Sequence, residues 1–100
     1  MKTTLETTEG KALVTLEGVL DSYIAEKIAE QFEPLYELND TEITLDCTNL
    51  EYIASSGLRL FLMLLQSTKP NGCSVIVKGA SEELMSVFKD TGFDALFKFI

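Results

Sequence analysis

The sequence predicts an α/β fold: a mixed, mostly parallel β-sheet flanked by helices, in the order β-β-α-β-α-β-α with room for a short last strand. Three observations carry that reading. Ala12–Glu17, Glu42–Thr48 and Cys73–Val77 alternate apolar with other residues, the two-residue period of a half-buried strand. Between them run apolar stripes at spacings of three and four, the period of a helix packed on one face. Strands that alternate with helices need crossover connections, and those join parallel neighbours. One hundred residues, 46% apolar and 24% charged, fit a single globular domain spanning residues 1–100.

Taken in order, Lys2–Thr8 is rich in threonine and reads as an edge strand, followed by a turn at Glu9-Gly10. Ala12, Val14 and Leu16 share one face of the next strand, and Gly18 ends it. Asp21 and Ser22 are both N-cap residue types. Behind them Ile24, Ile28, Phe32 and Leu35 form a helical stripe, with Glu26, Lys27, Glu30 and Glu33 facing water. Pro34 cannot donate to the carbonyl of Glu30, so the helix kinks or loosens there, and Asn39-Asp40 closes it. In Glu42–Thr48, Ile43, Leu45 and Cys47 point one way and Thr44, Asp46 and Thr48 the other. A second helix begins at Ser55 or Ser56, runs to about Thr68, and stops at Pro70-Asn71-Gly72. Cys73, Val75 and Val77 form another alternating strand, ended by Gly79. Ser81 starts a third helix with Glu82 and Glu83 in its first turn, where the helix dipole favours acids, and Leu84, Val87 and Phe88 as its buried stripe. After Thr91-Gly92, the tail Phe93–Ile100 must dock on the core.

Composition excludes several functions. There is no histidine, which removes the commonest general base and the usual metal ligand. Cys47 and Cys73 stand far apart on inward faces, with no CxxC grouping; they read as core residues of a protein kept in a reducing cytoplasm. The longest apolar run is far short of the roughly 20 residues a membrane span needs, and the N-terminus lacks a signal peptide's apolar stretch. Net charge is −8, and residues 1–52 carry twelve acids against three lysines. Such a surface repels phosphate backbones, so nucleic acid is not an expected partner; the charge reads first as a solvated face that keeps a small protein soluble, and second as a field that steers a basic partner.

The stretch Glu51–Leu65, EYIASSGLRLFLMLL, sets two serines and a glycine at the mouth of a buried helix. An enzymatic serine is not expected: the GxSxG spacing is absent and no histidine can activate the hydroxyl. A P-loop is excluded because no GxxxxGK[ST] occurs. Two readings stay open from spacing alone. Ser55 caps the helix while Gly57 lets it start tightly, or a hydroxyl there accepts a phosphate, which the helix dipole and free N–H groups tolerate.

The series LEGVLDS (Leu16–Ser22), LDCTNLEYIASSGLRLFL (Leu45–Leu62) and FKDTGFDALFKFI (Phe88–Ile100) resembles the STAS domain of bacterial anti-sigma-factor antagonists, over nearly the whole chain. That resemblance implies a cytoplasmic, non-enzymatic switch without cofactor or metal. Ser55 matches the serine phosphorylated by a partner that is both serine kinase and anti-sigma factor, with a histidine-kinase-like ATPase fold. The unphosphorylated form binds this partner and frees a sigma factor, and a PP2C-type phosphatase resets the cycle. Asp21 matches an aspartate beside the acceptor. Asp21, Ser22, Ala54, Ser56, Gly57 and Leu58 then form the partner surface, with Gly57 permitting close approach of the partner backbone. The family usually has Asp before its two hydroxyl residues, and here Ala54 stands in that place. Two other readings of such a domain are a constitutively binding accessory subunit of a transport complex, such as a lipid-transport ATPase, and a weak binder of a small ligand such as a nucleotide.

Overall fold

A computed structural model describes all 100 residues, Met1–Ile100, and the elements follow the expected order. They are β1 (Lys2–Thr8), β2 (Lys11–Leu20), α1 (Ser22–Phe32), β3 (Glu42–Ile53), α2 (Ser55–Thr68), β4 (Ser74–Lys78), α3 (Glu82–Asp90) and β5 (Lys98–Phe99). The strands form one sheet in the order β1-β2-β3-β4-β5. β1 is antiparallel to β2, and every other neighbouring pair is parallel. Each crossover steps one strand further in the same direction, so right-handed connections put all three helices on one face of the sheet.

That face holds the core. Ala12, Val14 and Leu16 of β2, Ile43, Leu45 and Cys47 of β3, and Val75 and Val77 of β4 belong to one buried cluster. Ala25, Ile28 and Phe32 of α1, Phe61 and Leu64 of α2, and Leu84 and Phe88 of α3 complete it. Phe32, Phe61 and Phe88 are fully buried, each worth about 1.5–3 kcal/mol in apolar transfer. Phe61, Phe88, Phe97 and Phe99 make a chain of aromatic contacts, the tightest being Phe88–Phe99 at 5.2 Å between ring centres. This chain is how the C-terminal tail docks, through a 3-10 turn at Phe93–Ala95 and then β5. The opposite face carries Thr4, Glu6, Thr15, Thr44 and Asp46, none of them buried.

Two strands run further than expected. β2 continues through Gly18 to Leu20, and β3 continues past Thr48 to Ile53. The reason is a pair of irregularities: β3 slips against β2 between Thr15 and Glu17 and again between Gly18 and Val19. Buried positions in β3 therefore step by two as far as Cys47, then by three to Leu50 and Ile53, and the alternation disappears although the strand does not. Gly18 takes a φ of +104°, which a β-carbon would strain, and it passes close against Met1.

Other departures are smaller. In α1 the buried residue of the first turn is Ala25, with Ile24 half-buried. The helix loosens at Pro34 as expected, into a 3-10 turn over Glu33–Glu37 that buries Leu35. β4 does not alternate, because Ile76 is buried as well as Val75 and Val77. It lies between β3 and β5, where Ile76 stands beside its register partners Thr44 and Lys98. Cys47 and Cys73 are free and buried. Burial pushes the Cys47 thiol up to about 12, with Asp46 adding to the shift.

Candidate functional site

Two helix N-termini meet at one rim of the sheet. β2 and β3 are parallel neighbours that end level, Leu20 opposite Ile53, and each turns directly into a helix. The Ala54 N–H donates to the Leu20 carbonyl at 2.8 Å, which locks the two turns together. One step beyond, the hydroxyls of Ser56 and Ser22 are 3.3 Å apart. Asp21, Ser22, Ala54, Ser55 and Ser56 are thereby gathered from two segments more than thirty residues apart.

The two N-termini differ chemically. Asp21 is the N-cap of α1, and its Oδ1 accepts from the Ile24 N–H at 2.9 Å. Ala54 is the N-cap of α2, with extended backbone and no side chain able to accept. The cap is therefore neither Ser55, which is the first helical residue, nor Ser56, whose hydroxyl is turned to Ser22. The first N–H groups of α2 keep the positive end of the helix dipole without a side-chain acceptor. Ser55 is exposed on that end, and Ser56 is half-buried.

Ala54, Gly57 and Leu58 need correction. All three are buried, Ala54 at 9% and Leu58 at 5% exposure. A β-carbon on Gly57 would lie 2.9 Å from Ile53 Cγ1 and from Leu20 Cγ and Cδ2. Gly57 therefore admits close approach of this chain's own strand ends.

Sequence reasoning missed the apolar rim. Tyr23, Tyr52 and Val19 are 66%, 53% and 43% exposed. Val19 and Tyr52 stand opposite each other at the ends of β2 and β3, and Tyr23 follows Ser22 in the first turn of α1. The Lys27 ammonium lies 4.6 Å from the Tyr23 ring centre. Exposed tyrosines around a polar centre are the composition of a protein-binding surface. Arg59, the chain's only arginine, was also overlooked; it is exposed one helical turn beyond Ser55, at the i,i+4 spacing. That spacing was its signal.

No group of three or more Cys, Asp or Glu side chains converges as a metal site would require. The largest cleft, about 750 Å³, is lined mainly by polar residues, among them Glu17, Glu51 and Glu83, and none of the gathered serines borders it. Its carboxylates are ill suited to a phosphate-bearing ligand. No helix is long and apolar enough to cross a membrane.

Comparison with known proteins agrees with this architecture. The STAS_2 family model, described as Mlab, STAS domain, matches residues 3–98. BtrV of Bordetella bronchiseptica is 26% identical over 97 residues, covering 97% of this chain and 84% of that protein. The anti-sigma-B factor antagonist of Staphylococcus aureus is 28% identical over 83 residues, covering 83% and 77%. Among solved structures, the STAS-domain protein of Planctomyces limnophilus superposes with a TM-score of 0.88 at 14% identity, covering 98% of this chain and 87% of that one. The phosphorylated form of the Bacillus protein SpoIIAA gives 0.76 at 21% identity, covering 99% and 91%. These likenesses establish the fold.

Proposed function

This chain belongs to the STAS domain family, and from that premise we propose that it is an anti-sigma-factor antagonist whose binding is switched by phosphorylation of Ser55. The single observation that carries the reading is the rim itself: an exposed serine on an uncapped helix N-terminus, with Tyr23 and Tyr52 exposed at the same junction of strand ends and helix starts. The names of the relatives, anti-sigma-B factor antagonists among them, supply the partner class. The partner is a serine kinase that is also an anti-sigma factor, and a PP2C-type phosphatase removes the phosphate. The contact surface is Asp21, Ser22, Ser55 and Ser56, widened by Val19, Tyr23 and Tyr52. The chain acts by binding and not by catalysis.

Phosphate on Ser55 adds roughly −1.5 to −2 charge. The free N–H groups of α2 and the Arg59 guanidinium stabilise it, so the fold survives. The partner loses, because an interface that accepted a neutral hydroxyl must now desolvate a dianion. The experiment is incubation with the candidate kinase and ATP, followed by peptide mapping and a binding titration. One phosphate is expected, on Ser55, with weaker partner binding. Ser55→Ala should stay bound and unphosphorylated, with stability within about 0.5 kcal/mol of wild type because Ser55 is not the cap. Tyr52→Ala should lose about tenfold or more in affinity. Phosphorylation of Ser55→Ala at the wild-type rate refutes the assignment.

A second reading, constitutive binding as an accessory subunit of a transport complex, is favoured by Ala54 alone, since the kinase finds no carboxylate before the acceptor. A transporter subunit that binds wild type and Ser55→Asp equally, with no phosphorylation by any candidate kinase, selects it.

A further inference from the structure

The outer edge of β1 has no neighbouring strand. The sheet order ends there, and five of the seven residues of β1 are exposed. Natural edges are blunted by proline, by bulges, by short length or by inward charges. Charged side chains also blunt edges, and Lys2 and Glu6 are the only such device on β1: it is seven residues long, contains no proline, and pairs with β2 in unbroken register. Its one pair of charges has opposite signs and is symmetric about Thr4. Lys2, Thr4 and Glu6 all lie on the open face of the sheet, opposite Glu17, Thr15 and Leu13. On the helix face, Leu5 is 39% exposed, and the buried Thr3 hydroxyl has no hydrogen-bond partner within the chain. Both border an apolar groove of about 250 Å³ between β1 and α1, closed below by Val14, Phe32 and Leu35.

We infer that this edge pairs with the same edge of a second copy of the chain, antiparallel and two-fold, with Thr4 opposite Thr4. In that register the Lys2 of each copy faces the Glu6 of the other, giving two opposite-charge cross-strand pairs on one face. On the other face each Leu5 stands against the other copy's Thr3, at the mouth of its groove. The self-complementarity selects a second copy over an unrelated strand, because a partner of different sequence has no reason to carry this mirrored pattern. The product is a continuous ten-stranded sheet. Its two-fold axis sends β2 of the two copies in opposite directions, so the two serine rims lie at opposite ends and both stay open. An edge-to-edge contact of seven residues buries less than the roughly 1,200 Å² of a standard stable interface, so the dimer is reversible.

Cysteine scanning and charge exchange test both the contact and its register. On the axis, two opposed Cα atoms are about 4.5–5.5 Å apart, within disulfide reach. Thr4→Cys should therefore cross-link two chains under mild oxidation. Thr3→Cys should not, because its counterpart is displaced two residues along the strand, beyond about 7 Å. The wild-type chain, whose two thiols are buried, is the background control. In sedimentation velocity, wild type should show a concentration-dependent dimer that Lys2→Glu and Glu6→Lys each weaken. Mixing these two variants should give a dimer roughly tenfold tighter than either forms alone, since every pair is again opposite in sign. Lys2→Glu also sets like charges opposite Glu17 within the chain, and rescue by mixing separates that effect from the contact. A wild type that stays monomeric at about 1 mM overturns the inference. So does cross-linking of Thr3→Cys as fast as Thr4→Cys, or a mixture no tighter than its components.

Discussion

Ala54 is where a single side chain leaves an element unfinished. The N-cap of α1 is an aspartate bonded to the Ile24 N–H, whereas the N-cap of α2 has only a methyl group. Ala54→Asp should restore an acceptor to the first turn, raising stability by about 0.5–2 kcal/mol in urea unfolding, and should speed phosphorylation by the cognate kinase. A stabilised variant with an unchanged rate means that the carboxylate matters to the helix and not to the kinase. Asp46 offers a second residue-scale test. Its carboxyl is held below the usual range, chiefly by the Thr48 hydroxyl at 2.6 Å; partial burial opposes this, and the Thr48 N–H at 3.0 Å and the charge of Lys78 add smaller lowering effects. A depressed folded-state value contributes stability that is complete above the unfolded value of 3.8 and is lost as the pH falls through the folded one. Thr48→Val should move the Asp46 titration upward in NMR and bring acid unfolding to a higher pH, leaving stability at pH 7 lower by a few tenths of a kcal/mol.

At the scale of elements, Gly57 sets how closely α2 sits on the ends of β2 and β3. Alanine there would gain about 1 kcal/mol in helix propensity, yet its β-carbon would meet Leu20 and Ile53 at 2.9 Å. Overpacking of about 1–3 kcal/mol outweighs this, so Gly57→Ala should destabilise by up to about 2 kcal/mol net. It should also separate Ser22 from Ser56, readable as altered partner affinity with Ser55 intact. The same junction marks how far the elements were legible in the sequence. Helices α1, α2 and α3 and the first stretches of β2 and β3 announce themselves by period, and Pro34 and Pro70-Asn71-Gly72 mark their ends. The last halves of β2 and β3 do not, because two slips in register turn a two-residue period into a three-residue one. Those halves carry Val19 and Tyr52, so the apolar rim was hidden by the same irregularity that builds it. Asp21 and the serines were legible because their residue types sit beside the first turn of a helix. Gly57 was legible as the residue that lets the helix start tightly, but not which residues crowd it, because one of them is Leu20, thirty-seven positions earlier.

For the whole molecule, the decisive property is the uneven charge. Residues 1–52 carry −9 and residues 53–100 carry +1. The fold gives that asymmetry a direction, because Glu26, Glu30, Glu33 and Glu37 are exposed along α1 and the turn after it, and Glu51 is exposed beside the rim. A basic partner approaching the serines is drawn in by this field before any contact forms. On the proposed surface, contact rests on tyrosines and hydroxyls, whose worth changes little with ionic strength. Raising salt from about 0.05 to 0.5 M shortens the Debye length from roughly 14 to 4 Å, which screens the approach but not the contact. The association rate with the kinase partner should therefore fall by about tenfold or more while the dissociation rate changes by less than about twofold. Glu26→Lys with Glu30→Lys should reproduce that loss at low salt, since both sites are exposed and lie outside the rim. Stopped-flow measurement of both rates decides the matter. If salt acts on dissociation instead, charged pairs lie inside the interface and the tyrosine-centred surface is wrong. If neither rate moves, the acidic half serves solubility alone.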